Sequence, residues 1–263
     1  MINQLLHRQP VAVDLAVHRH HKLQVPVTEW SMTSRMNSSF CAVAEFGDAC
    51  RDYPLVFVNT GNDANGKPQV APIAVLGLAV EENLFLEGKS WRGRYMPAIL
   101  RAYPFCTAKV NDERFAVCID STWPGVSTTE GTPLFTPEGL PSDMLKAAQD
   151  QLQVFEGEVQ RTRLACQRLV ELDVLRDMRF DATFASGRTH SVDGFLTVDQ
   201  ERMNAQSDAT LLELHKQGMM GVIHAHWISL GNMRTLLDWH VQRHPEANAP
   251  AVSTGAANGT SAT

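Results

Sequence analysis

The chain has 263 residues and a mass of 29.1 kDa; 44% of its residues are hydrophobic and 20% are charged. These proportions are typical of a soluble globular protein and exclude a collagenous or disordered chain. The formal net charge of -6 offers no general basic surface for a phosphate backbone, so we expect no nucleic-acid partner. No apolar run reaches 18 residues, so we expect no membrane span.

We expect the N-terminal region, 1–45, to be an arm that packs on the surface of the domain. Pro10, Pro26 and a polar stretch interrupt any long helical or strand periodicity in it. We expect a single α+β domain over 46–244. The tail, 245–263, is poor in large apolar residues and is expected to be disordered.

The five cysteines are scattered and contain no CxxC pair, which favours reduced, buried thiols. The N-terminus lacks the apolar core of a signal peptide, since Asp14 divides its apolar residues. We therefore expect a cytoplasmic protein.

Short apolar runs within 53–120 are separated by turn residues, which indicates strands joined by hairpins. The runs are YPLVFV, QVAPIAVLGLAV, NLFLEG, YPFCTAKV and RFAVCID. Such short spacings leave no room for crossover helices, so the sheet should be largely antiparallel. Strands within 178–198 should add a further hairpin.

A change of period at Ser142 predicts a long amphipathic helix over about 142–176. Its apolar stripe consists of Leu145, Ala148, Leu152, Phe155, Val159, Thr162, Cys166 and Leu169. We expect the stripe to cover one face of the sheet, with a homodimer contact as the alternative. The preceding stretch, 121–142, is an irregular connection that either crosses to this helix or forms a binding loop. Further C-terminal helices are expected, the last over Met219–His240.

His224 and His226 form an HxH pair that could hold a metal ion only from a strand. Residues two apart on a helix point about 200° apart, so the predicted helix favours a buried, hydrogen-bonded His226 instead. The sequence has no HExxH motif, and we expect no metal site. It also lacks the GxSxG, P-loop and GxGxxG motifs, so no cofactor is expected and any catalytic residues stay unknown.

Trp91, Arg92, Arg94 and Tyr95 form an aromatic and cationic group after the NLFLEG run. Arginine forks and aromatic faces can hold an anionic or planar ligand, so these four residues and His226 are the candidate ligand-binding set. A network that only fixes the chain is the alternative interpretation.

Several segments resemble the SapC-like family of bacterial proteins. The similarity runs from about Tyr53 to Leu237 and includes DYPLVF, the long block from APIAVLGLAVEENLFLEG to RAYPF, CIDS, DGFLTVDQERMNAQSD and LHKQGMMGVIHAHWISLGNMRTL. The resemblance implies a relation to the bacterial protein, linked to surface-layer protein export, after which the family is named. It also implies that relatives are often encoded beside flavin-dependent tryptophan-halogenase-like proteins, cupin-like proteins and TonB-dependent receptors. It transfers no site residue.

Two functional hypotheses follow from the sequence and the resemblance. The first is an accessory protein that binds a polypeptide partner and assists a bacterial export or peptide or envelope modification system. The second is an oxygenase- or transferase-like enzyme with a pocket near Trp91, Arg92, Arg94 and His226. The sequence does not decide whether the protein is an enzyme.

Overall fold

A computed structural model describes residues 1–111, 114–183 and 189–245 of the chain. The strands are β1 Pro10–Ala12, β2 Lys22–Leu23, β3 Ser38–Phe40, β4 Leu55–Asn62, β5 Pro68–Val75, β6 Leu86–Glu87, β7 Ser90–Trp91, β8 Phe105–Lys109, β9 Phe115–Asp120, β10 Val126–Ser127, β11 Thr132–Pro133, β12 Leu175–Thr183 and β13 Thr189–Val198. The helices are α1 Leu15–His18, α2 Phe46–Ala49, α3 Ala98–Arg101, α4 Asp143–Glu171, α5 Gln200–Asn204, α6 Asp208–Lys216, α7 Met219–Ser229 and α8 Asn232–Arg243. The fold is α+β with antiparallel strand pairs, which confirms the predicted class.

The main sheet has five strands in the order β12-β13-β4-β5-β3. Its β4–β5 hairpin turns through Asp63, whose Oδ1 accepts the backbone N–H groups of Asn65 and Lys67 at 2.8 Å each. Gly66 has φ 78°, a left-handed conformation that glycine adopts without steric cost. The turn residues between these two runs therefore form the β4–β5 hairpin that the sequence predicts.

A second sheet has the order β1-β9-β8, so the strands within 53–120 divide between two sheets. The β8–β9 hairpin pairs Phe105 with Ile119 and Lys109 with Phe115, as the sequence pattern predicts. Its third strand comes from the N-terminal segment, where Pro10 pairs with Asp120. In the same way β2 pairs with β10 and β11, which lie within the connection 121–142.

The predicted extension of β5 to residue 80 and its pairing with the NLFLEG run are wrong. That run does contain a strand, β6, but it pairs with β7 and not with β5. The strand ends at Val75, and the chain turns so tightly that a Cβ atom on Gly77 would lie 2.0 Å from the carbonyl oxygen of Glu82. The Glu82 carboxylate turns inward and accepts the N–H groups of Leu78 and Ala79 at 3.0 and 3.2 Å. Satisfying these N–H groups stabilises a turn in place of a hairpin.

Helix α4 confirms the predicted amphipathic helix, although it ends at Glu171 rather than near 176. Ser142 caps it by accepting the N–H of Leu145 at 3.3 Å. Its apolar face contacts both β5 and β8, so the helix covers both sheets. The chain reverses at Asp173, which has φ 51°, and β12 begins only two residues later.

The predicted single helix over Met219–His240 is two helices, α7 and α8, separated at Leu230 and Gly231. The hydroxyl of Ser229 caps the end of α7 by donating to the carbonyl oxygen of His226 at 2.5 Å. Across the described ranges, no helix combines the length and apolarity needed to cross a bilayer. The tail prediction falls mostly on residues 246–263, which lie outside the described residues.

Candidate functional site

The outer edge of β5 is paired along only half of its length. Strand β3 pairs with the C-terminal half, where Phe40 lies opposite Ile73, and the N–H of Cys41 donates to the carbonyl oxygen of Pro72 at 3.3 Å. No described strand pairs with β5 on this side before Pro72. Backbone groups alternate between the two neighbours in an antiparallel strand, so the N–H and C=O of Val70 point to the same edge as the carbonyl of Pro72.

A groove of about 330 Å³ lies between this half of β5 and the C-terminal half of α4. Its apolar lining residues are Met1, Phe40, Pro68, Val70, Ala71, Pro72, Val159, Cys166 and Val170. Its polar lining residues include Asp63, Lys67, Arg163, Gln167 and Glu171, so both charge signs are present. Helical spacing places the α4 members on one face of the helix. The groove therefore combines apolar walls with a strand edge that can form backbone hydrogen bonds.

The thiol of Cys166 lies in the wall of the groove. Burial raises its pKa to about 12, so it stays protonated at neutral pH. It therefore acts as an apolar contact in the groove and not as a thiolate nucleophile.

The predicted aromatic group is tied into the core by hydrogen bonds. The indole N–H of Trp91 donates to the hydroxyl of Tyr53 at 3.0 Å, and that hydroxyl donates to the carbonyl oxygen of Tyr95. The hydroxyl of Tyr95 donates to Glu45 at 2.9 Å. Burial, followed by the negative charge of Glu45, raises the pKa of Tyr95. These contacts orient Trp91 and Tyr95 within the protein.

The two arginines of the predicted set differ in their surroundings. The guanidinium of Arg92 lies 4.4 Å from the ring centre of Trp239 and 3.2 Å from a carboxylate oxygen of Glu87. Arg94 is exposed, and its guanidinium forms no hydrogen bond or ion pair with another residue of the described ranges. The predicted binding role of these residues stays a prediction.

His226 is fully buried, as the helical interpretation predicts, and its hydrogen bonds are to residues outside the aromatic group. Its Nδ1 lies 2.7 Å from the carbonyl oxygen of Leu55, and its Nε2 accepts the N–H of Val198 at 3.1 Å. Burial lowers the pKa of this imidazole to about 4. His224 is exposed and contacts Met220 of its own helix, so the HxH pair does not converge on one ion.

A second group of potential ligands joins Glu82 to two histidines at the end of α8. Nδ1 of His240 lies 3.0 Å from each carboxylate oxygen of Glu82, and Nε2 of His244 lies 2.9 Å from Oε1. Burial alone would raise the pKa of Glu82. Its hydrogen bonds, of which the one with His240 has the largest effect, outweigh burial and leave the pKa below its usual value. The three potential ligand atoms lie within 4.8 Å of one another.

Only part of the signal for this group is present in the sequence, which did not predict it. His240 and His244 stand four residues apart, a spacing that places two side chains on one face of a helix. Nothing local connects them with Glu82, which lies 158 positions before His240.

Comparison with known families assigns the chain. A family model described as SapC matches residues 14–236. The chain belongs to the SapC family. Membership confirms the resemblance found in the sequence and extends it towards the N-terminus, through the residues that form β2 and β3. No curated protein and no solved structure matches this SapC-family chain, so the candidate sites rest on its own geometry.

Proposed function

We propose that this SapC-family protein is a cytoplasmic accessory protein that binds an extended polypeptide segment in the groove between β5 and α4. The half-paired edge of β5 carries the proposal, since the N–H and C=O of Val70, a residue that lines the groove, point to the unpaired half of the edge whose other half β3 already occupies. A bound segment would extend the line of β3 along β5. This mode of recognition, the addition of a strand to a sheet edge, uses main-chain hydrogen bonds for affinity.

The groove favours a segment with small or medium apolar side chains. Val70 and Val159 are half-buried and line the groove from opposite walls, so they can receive one such side chain. Pro68 and Pro72 flank Val70 and lack N–H groups, which limits the added strand to a few hydrogen bonds. A short strand addition of this kind supports a weak, reversible complex.

The family resemblance supports the proposed cellular role. The resemblance of this chain to a family named after a protein linked to surface-layer protein export supports a role in export or in peptide or envelope modification. The expected partner is therefore a polypeptide handled by such a system. An open strand edge supports this expectation, because an extended polypeptide can bind to it through main-chain hydrogen bonds.

Photo-crosslinking in the native host tests the proposal. A photoreactive amino acid replaces Arg163, which lines the groove, and in a matched control it replaces the adjacent Leu164, whose side chain is 66% exposed. We expect a polypeptide adduct at position 163 that is absent at 164 and is lost when Val70→Pro removes the edge N–H group. Identical adducts at both positions, or adducts that persist with Val70→Pro, would contradict the proposal.

A further inference from the structure

We propose that Glu82, His240 and His244 form a binding site for a divalent transition-metal ion of the Zn²⁺ type. The proposal is independent of the peptide groove, because none of its three residues lines that groove. Zinc sites that retain an exchangeable position commonly combine three protein ligands with water, and two histidines with one carboxylate are such a set.

The distances fit a single ion. Imidazole nitrogens and carboxylate oxygens bind Zn²⁺ at about 2.0–2.2 Å. Ligand atoms that all lie within 4.8 Å of one another can therefore reach one ion through small side-chain rotations. The two imidazoles are supplied by one turn at the end of α8, so they approach the carboxylate together.

The carboxylate of Glu82 is held in place by its own turn. Its Oε2 accepts the N–H groups of Leu78 and Ala79, whereas Oε1 faces His244. Hydrogen bonds that orient a ligand are a regular feature of metal sites, because they fix the ligand before the ion arrives. The tight turn at Gly77 thus supports the position of this ligand.

Burial gives the site a closed side and an open side. The side chains of Glu82 and His240 are 6% and 8% exposed, whereas that of His244 is 39% exposed. An ion can therefore enter beside His244 and be held on a buried carboxylate. Binding would connect α8 to the turn after β5, two segments that are distant in the sequence.

A metal titration of the full chain, purified with a chelator and then dialysed, tests the site. Zn²⁺ is followed by calorimetry and by the melting temperature, and Co²⁺ by its visible absorption. We expect one ion per chain and a rise in melting temperature. Glu82→Gln and His244→Ala should each raise the Kd at least about tenfold. Substitution of residues that only hydrogen-bond to metal ligands already weakens metal binding by this factor, and these two variants remove ligands themselves.

His224→Ala is the matched control, since it removes an exposed histidine and should leave the Kd unchanged. His244→Ala should retain the fold, because its side chain is partly exposed, and its melting temperature in chelator checks this. Three results would overturn the site: no ion bound, equal affinity in the wild type and both ligand variants, or sulfur-to-cobalt charge-transfer bands that assign the ion to cysteines. The cluster would then be a hydrogen-bonded clasp only.

Discussion

His226 on α7 is hydrogen-bonded to the backbone of Leu55 on β4, with Nδ1 2.7 Å from the carbonyl oxygen. A carbonyl only accepts, so Nδ1 carries the proton, and Nε2 accepts the N–H of Val198 on β13. One neutral imidazole therefore connects a helix to two adjacent strands of the main sheet. A protonated imidazole could not accept from Val198, so this arrangement requires the neutral form.

Acid should destabilise the protein through this residue. Burial lowers the pKa of His226 to about 4, against about 6.5 in an unfolded chain, so the unfolded state binds more protons between these values. Its contribution is therefore fully retained above about pH 6.5 and is lost as the pH falls towards 4, by up to about 3 kcal/mol. Urea unfolding across this range measures the loss.

The variant His226→Gln should unfold more easily at neutral pH and should reduce the pH dependence by up to one proton. His224→Gln, at an exposed position of the same helix, should leave the pH dependence unchanged. Equal pH dependence in the wild type and His226→Gln would show that His226 is not held neutral.

Phe155 and Val154 are adjacent on α4 but differ in burial. Phe155 is 6% exposed, and its ring packs edge-on against that of Phe40 with 6.1 Å between the ring centres. Val154 is 66% exposed. Phe155→Ala should lower the free energy of unfolding by about 3–5 kcal/mol because it leaves a cavity in the core. Val154→Ala should change it by no more than about 0.5 kcal/mol. Thermal unfolding of both variants measures these changes. Equal losses of stability would show that Phe155 does not lie on the buried face of α4.

Gly77 and Gly157 should respond to alanine in opposite directions. A Cβ atom at 77 would meet the backbone of Glu82, so Gly77→Ala should destabilise the protein by about 3 kcal/mol or more. A Cβ atom at 157 on α4 would meet nothing within 4 Å beyond its adjacent residues and the backbone of its own helix. Gly157→Ala should therefore stabilise the helix by up to about 1 kcal/mol. Denaturant unfolding measures the change in the free energy of unfolding for both variants. A mild effect of Gly77→Ala would contradict the tight turn.

The sequence predicted those parts of the fold that depend on neighbouring residues. The β8–β9 hairpin and α4 follow from alternation, turn residues and a helical stripe, and the structure contains both. Strands of two or three residues, such as β2 and β3, are too short to show a period and are defined by their partners. The division of the last helix had a local signal in Gly231, which helical spacing across 219–240 obscured.

The candidate sites depend on contacts that no local pattern encodes. The groove exists because β3 covers only half of β5 while α4, far along the chain, forms the other wall. The burial of His226 could be predicted, since its helix needs an apolar face, but its partners Leu55 and Val198 could not. Local spacing places residues on a face of one element, whereas packing between elements selects the faces that meet.

Proline substitutions at adjacent positions of β5 test the direction of its backbone groups. The N–H of Ala71 points towards β4, so Ala71→Pro removes a hydrogen bond within the sheet and should cost more than about 1 kcal/mol. The N–H of Val70 points to the open edge, so Val70→Pro should change stability by no more than about 1 kcal/mol. Equal destabilisation in unfolding experiments would mean that the edge at Val70 is already paired.

Amide hydrogen exchange at Val70, measured by NMR on the full chain, tests the binding groove most directly. The probe is a peptide selected on this protein from a display library of random sequences. We predict that the Val70 amide exchanges quickly in the free protein and becomes protected when the peptide binds, while Ala71 is protected throughout. A bound peptide that leaves Val70 unprotected, or a Val70 amide already protected in the free protein, would contradict strand addition at β5.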